Sequence, residues 1–270
     1  MTSTYKSIHS LKNRYIFNLI GLSLLLFSCG SDPKPTNEEQ LRITNTDSSL
    51  NQTDTAKVNG IQGNLSFSQI TTDPNSVVLT GLKQHRLVTV YKVRTEKDNG
   101  SSYYKKTYEE DYGSDRVTHY MPGFDLLFGY NLLAIAHYDL TTEKLNSLFD
   151  KPVLIKSLYY PSFEQDSIEK KPINRNNYMV SVYDEDTNRD TLINRLDLRR
   201  FYSFDVSGQE RIQLVPPNYS VERSQYDSQN DVMYIYARLD ANQNGKIDKK
   251  EPQHIFWINL KQPNKAKRLY

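Results

Sequence analysis

The sequence predicts an all-β protein, a propeller-like stack of about three to four small antiparallel sheets that forms an incomplete or irregular propeller. Three observations carry this expectation. From Ser76 onward, short runs rich in β-branched and aromatic residues recur between turn-forming residues, at 77–79, 87–91, 132–138, 153–155, 178–183, 201–204, 232–237 and 255–258. The stretch 178–206 recurs at 232–260, offset by 54 residues. The 20 tyrosines suit half-buried pleated surfaces, and no stretch after residue 28 has a convincing amphipathic helical period, 104–115 being the most ambiguous.

Taken in order, residues 1–28 read as a targeting segment. Lys6, Lys12 and Arg14 form a basic region ahead of a mostly apolar run at 15–28. That run is shorter than the ~20 residues a spanning helix needs and suits the apolar part of a signal peptide. It ends in Leu26-Phe27-Ser28-Cys29-Gly30, which resembles the bacterial lipoprotein box, although Phe27 is bulky for its position. Cys29 is the only cysteine, so no intramolecular disulfide can form. The expectation is lipidation at Cys29, where two or more acyl chains would anchor the protein stably; a plain secretory signal is the alternative. Gly30 after the cysteine favours the outer membrane, by analogy with enteric sorting. Residues 29–75 are polar and mostly without period, and read as a flexible tether; an alternating first strand at 63–70 is the alternative, with order expected to begin between about 63 and 77. Residues 76–270 form the folded domain.

The internal repeat divides that domain. Asp186 aligns with Asp240, Asn188 with Asn242, Asp190 with Asn244, Ile193 with Ile247, Asn194 with Asp248 and Asp197 with Glu251. Met179 meets Met233, Tyr202 meets Phe256 and Phe204 meets Ile258 in the flanks. Two units, about 153–217 and 218–270, each read strand, acidic loop, strand, turn, strand. A weaker unit at 76–152 carries a faint copy at 136–145 without the acidic loop. A period of roughly 40–55 residues with about four strands is the signature of propeller blades.

The loop from Asp240 to Glu251 has the pattern of a calcium site. Calcium takes roughly six to eight hard oxygen ligands. Asp240, Asn242, Asn244, Asp248 and Glu251 offer side-chain oxygens at loop positions 1, 3, 5, 9 and 12, and Lys246 offers its backbone carbonyl. Gly245 permits the sharp mid-loop turn. Ile247 is expected to point into an apolar layer. The second, weaker candidate set is Asp186, Asn188, Asp190, Leu192, Asn194 and Asp197, in which Thr191 takes the turn position and Asp197 is one methylene shorter than Glu. Strands flank both loops and Pro252 follows Glu251, so a helix-loop-helix EF-hand is rejected in favour of a hairpin loop. The expected role of Ca²⁺ is structural. An acidic, solvated hairpin that binds nothing is the alternative for each loop.

Trp257-Ile258-Asn259-Leu260 before a turn and Lys267-Arg268-Leu269, and Phe204-Asp205-Val206-Ser207-Gly208 before Arg211, resemble blades of the WD40-like, TolB-type periplasmic propellers. The likeness covers about 153–270 well and 76–150 weakly. The whole layout also resembles Bacteroidetes-type envelope lipoproteins of uncharacterised function, whose blade hairpins carry EF-hand-like calcium loops. That resemblance implies an envelope location and no known activity.

Other chemistry is sparse. The chain has 34 Lys and Arg against 32 Asp and Glu, and loss of three basic residues with the signal leaves 31 against 32, so no basic face calls for nucleic acid. His85, His119, His137 and His254 show no ligand spacing and read as packed or surface residues. No Gly-x-Ser-x-Gly elbow, phosphate loop or dinucleotide fingerprint is present. Glu109, Glu110, Asp111 and Asp115, with Tyr103, Tyr104 and Tyr108, read as a solvated hairpin, with a sugar-binding surface as the alternative. The expected function is a lipid-anchored cell-envelope protein, held to the membrane through Cys29. Its calcium-stabilised domain would bind an envelope protein or a glycan without catalysis. An envelope hydrolase of propeller type, acting on peptides or glycans, is the alternative class, and an assembly subunit with open sheet edges is a third.

Overall fold

Sixteen strands and no helix make up the residues described by the computed structural model, 41–42, 72–92 and 121–270. The segment read as a signal, Cys29, most of the 29–75 span, the carboxylate–tyrosine stretch at 103–115 and His119 lie outside the described residues. The strands are β1 (Leu41–Arg42), β2 (Thr72–Leu79), β3 (His85–Lys92), β4 (Phe124–Asp139) and β5 (Lys144–Ser147), then β6 (Leu154–Pro161), β7 (Asp166–Ile168), β8 (Lys171–Ile173), β9 (Asn177–Tyr183), β10 (Leu192–Ile193), β11 (Arg200–Asp205) and β12 (Arg211–Gln213), and finally β13 (Tyr219–Asp227), β14 (Val232–Leu239), β15 (Gln253–Asn259) and β16 (Lys267–Arg268). All pairings between strands are antiparallel.

Each sequence unit contributes one meander of four strands: β2-β3-β4-β5, β6-β9-β11-β12 and β13-β14-β15-β16. The expectation of small separate sheets holds only for the last. The first two meanders fuse into one eight-stranded sheet because β4, at 16 residues, serves both. Its first part pairs with β6, from Phe124↔Pro161 to Phe128↔Ser157 and again at Leu132↔Ile155. Its second part pairs with β5, from Ala136↔Ser147 to Asp139↔Lys144, while β3 lines its other side. The change of partner coincides with a register shift after Phe128 and with Asn131 at φ 58°. Gly129 is needed there, since a Cβ would sit 2.1 Å from the Ile155 carbonyl oxygen. A two-stranded β7–β8 hairpin and the β1–β10 pair complete the topology.

Burial follows from this stacking. β9 reads as a continuous apolar strand and is buried throughout, as a strand covered on both faces should be. On one face, Met179 and Phe201 pack with Met233, Ile235, Phe256 and Ile258 of the last meander, closed by Met121 and Phe124. On the other, Tyr178, Val180, Val182 and Phe204 pack with Leu87, Leu132, Ile135, Leu148 and Phe149 of the first unit. Each fully buried side chain of this size contributes about 1.5–3 kcal/mol. The first of these cores also holds an ion pair: the Arg175 guanidinium donates to both carboxylate oxygens of Asp231 at 2.9 and 2.7 Å and to the Pro122 carbonyl, and it lies over the Phe124 ring.

A third, small cluster joins Leu41, Leu133, Leu154, Tyr183 and Ile193. Leu41 and Arg42 fall inside the span read as a tether, yet they pair as a strand with Ile193 and Leu192. Two residues are too few to leave a period in a polar sequence, and one buried leucine supplies the attachment.

Candidate functional site

The two acidic loops occupy equivalent places, each joining the second and third strands of its meander: β9 to β11 and β14 to β15. Their hydrogen bonds coincide position by position. In the β14–β15 loop, Asp240 accepts from the N–H of Asn244 and Gly245 at 3.0 and 2.9 Å. Asn242 accepts from Asn244, and Asn244 accepts from Lys246. Glu251 spans the loop, one oxygen accepting from Ala241 and Asn242 and the other from Asp248.

In the β9–β11 loop, Asp186 accepts from Asp190 and Thr191 at 3.1 and 2.9 Å. Asn188 accepts from Asp190, and Asp190 from Leu192. Asp197 accepts from Thr187 and Asn188 on one oxygen and from Asn194 on the other. The backbone repeats as well: positions 4 and 6 are left-handed in both, at Gln243 (φ 57°) and Gly245 (φ 71°), and at Arg189 (φ 60°) and Thr191 (φ 69°). Glycine adopts this conformation freely, whereas a β-branched threonine does so under strain. The Thr191 N–H bond to Asp186 helps to hold it there.

The loops differ in burial. Asp197 and Asn194 are fully buried, whereas Asp248 and Glu251 are at least partly open to solvent. Burial pushes the Asp197 carboxyl up to about 6, against the opposing pull of its N–H donors. Its shorter side chain nevertheless spans the loop as Glu251 does. Ile193 is 1 % exposed because β1 pairs across it. Ile247, expected in an apolar layer, is 37 % exposed. Among the described residues no strand pairs with it as β1 does with Ile193.

The loops also touch. The Thr187 hydroxyl donates to the Gly245 carbonyl at 2.6 Å, and a Cβ at Gly245 would lie 1.8 Å from the Thr187 carbonyl oxygen. This contact was not visible in the sequence, where the two residues stand 58 apart.

The candidate oxygens of each loop comprise three carboxylates, two side-chain amides and one backbone carbonyl, all hard donors of the kind that suit calcium or magnesium rather than softer metals. Among the described residues no three His, Cys, Asp or Glu side chains are drawn closely enough to hold a metal ion. In this conformation the carboxylates turn towards loop N–H groups. A carboxylate has about four lone-pair sites on its two oxygens, so acceptor capacity remains on Asp240, whose oxygens each accept one backbone N–H.

Sequence spacing concealed one further cluster. Adjacent strands place His85 Nδ1 2.8 Å from His137 Nε2. His137 is buried, and its Nδ1 has no hydrogen-bond partner among the described residues. Burial, then the neighbouring His85, holds its pKa below the usual histidine value, with Asp139 and Asp205 opposing. The signal available in the sequence was that His137 lies in one predicted strand and His85 two residues ahead of the preceding one.

The described chain is thus an all-β protein with a duplicated hairpin loop that ties carboxylates to its own backbone. No protein-family model matches the chain, and neither does any curated protein.

Proposed function

We propose that this protein is a lipid-anchored component of a bacterial cell envelope, held through Cys29 and favouring the outer membrane. Its propeller-like domain is stiffened by calcium and binds a partner, an envelope protein or a glycan, without catalysis. The single observation that carries the calcium reading is the coincidence of the two loops: the same positions accept the same N–H groups although Gly245 is replaced by Thr191 and Glu251 by Asp197. A loop that served only as a solvated turn would have no need to keep a strained threonine in the left-handed region. Asp240, Asn242, Asn244, Lys246, Asp248 and Glu251 would hold one ion, and Asp186, Asn188, Asp190, Leu192, Asn194 and Asp197 a second. Bound calcium would offset the mutual repulsion of three carboxylates in each loop. The propeller-like reading is supported by successive four-stranded meanders that bury a core between each pair of neighbours.

Calcium titration of chelator-treated protein tests the ion. Extracellular modules bind calcium at about 10⁻⁴–10⁻³ M. A site in that range adds about 1.4–2.7 kcal/mol at 10 mM calcium, a rise in Tm on the order of 3–10 °C for a domain of this size. An unchanged melting curve at 10 mM calcium overturns the reading. Replacement of Cys29 by Ser should move the protein from the membrane fraction to the soluble one, and retention on membranes overturns the anchor.

A further inference from the structure

The last meander has an inner face in the core and an outer face that the described residues leave open. Alternation puts Met233, Ile235, Phe256 and Ile258 inward, so Tyr234, Tyr236 and Trp257 stand on the outer side. The pairing register places these rings in rows. Gln225, Tyr234, Trp257 and Lys267 lie directly opposite one another across all four strands. Arg223 and Tyr236 pair in the neighbouring row.

Cations cap the rings. The Arg223 guanidinium carbon is 3.4 Å from the Tyr236 ring centre, and Lys267 Nζ is 5.2 Å from that of Trp257. Among the described residues neither cation is ion-paired, whereas Arg238 on the same sheet is paired with Glu222. A guanidinium held flat on a ring keeps its N–H fork in a fixed plane, which suits a planar carboxylate. The Tyr236 hydroxyl is fixed by its bond to Gln225 at 3.0 Å, leaving the Gln225 amide N–H₂ as a further donor.

We propose that this outer face binds an anionic polysaccharide, a chain of uronate sugars, whose carboxylates meet Arg223 and Lys267 and whose C–H faces lie against Tyr234 and along Trp257 beside the Lys267 ammonium. The unpaired cations Arg223 and Lys267 beside register-aligned rings select an anionic occupant, the Asp227 carboxylate on the same strand being held in its own turn by Gln229 and Asn230. The three rings are half-buried, which suits a ligand laid along the surface. The proposal rests on the reading of the domain as a binding module, and names its ligand and surface.

The test uses the full chain and polygalacturonate oligomers, with neutral galactan oligomers and vesicles containing phosphatidylglycerol as the other arms. Polygalacturonate should bind with an affinity that falls as salt rises. Arg223→Gln with Lys267→Gln should weaken it at least tenfold, and Trp257→Ala should weaken it while retaining the salt dependence. Melting curves of the variants matching wild type would show that the fold is intact, and Arg223→Lys, the mildest change, should still lose affinity because the planar fork is gone. Absent binding, equal binding of the neutral galactan, undiminished binding by the double variant, or preference for the vesicles overturns the proposal. The calcium melting shift is read separately, so failure of polygalacturonate binding leaves that shift standing, and absence of the shift leaves this binding standing.

Discussion

The Thr187 hydroxyl and the Gly245 carbonyl meet at 2.6 Å, so the second residue of one acidic loop is joined to the sixth residue of the other. Thr187 also binds Asp197 through its N–H, and its hydroxyl oxygen accepts from Leu198. The two loops therefore share a backbone contact with no room for a side chain.

Gly245→Ala tests that contact. The new Cβ would be 1.8 Å from the Thr187 carbonyl oxygen and 2.9 Å from the Asn188 nitrogen, at φ 71°. Strain and overpacking together should cost at least about 2 kcal/mol in denaturant unfolding. Thr191→Gly, at the matching position of the other loop, relieves strain at φ 69° and should fall within about 1 kcal/mol of wild type, on the stabilising side. Equal losses in the two variants would refute the assignment of the contact to Gly245.

The buried Arg175–Asp231 pair makes a second prediction. Removing one partner leaves a charge in the core, so Arg175→Met or Asp231→Asn should each destabilise the domain by about 3–5 kcal/mol. The double variant should lose less than the sum of the two, as a double-mutant cycle would measure. Simple additivity would show that the pair is not coupled.

These two cases mark what the sequence could and could not reveal. The acidic loops were legible because every oxygen position falls within twelve residues of one chain segment, as were the meanders, since turn residues punctuate each strand. Arg175 and Asp231 stand 56 residues apart and carry no local pattern. Leu41 was hidden for a similar reason, its partner Ile193 being chosen by tertiary packing. The apolar run at 132–138 was recognisable as a strand, but its extension back to Phe124 was not, because 124–131 includes Asp125, Gly129 and Asn131.

Leu41→Ala should destabilise the domain by about 2–5 kcal/mol, as for other buried leucines, because Leu41 is 1 % exposed against Ile193 and Leu133. Unfolding in urea measures it. A loss below about 0.5 kcal/mol would mean that the β1–β10 pair is not maintained in solution.

His137 sets a pH dependence. Its folded pKa lies below the ordinary 6.5, chiefly through burial. The unfolded chain takes up the proton first, so this residue's contribution is complete above pH 6.5 and is lost as the pH falls through and below it. Asp184 and Asp197, raised by burial, act in the opposite sense, and the effect is therefore read as the difference between wild type and His137→Gln. Unfolding free energies from pH 8 to pH 5 should show wild type losing more stability than the variant; parallel curves would refute the assignment.

The partner change along β4 has a consequence for how such a chain can be cut and inherited. A break after residue 152 would strip β4 of its β6 neighbour and strand half of a long hydrogen-bonding edge, so the first two meanders are expected to fold only together. The last meander shares no strand with them and keeps its strand ladders within 219–268, tied to the second meander by single backbone bonds from Val221 N–H to the Arg199 carbonyl and from Ala266 N–H to the Leu214 carbonyl. It is the piece that duplication or loss could most readily move as a unit, and its 50 residues come close to the offset of 54.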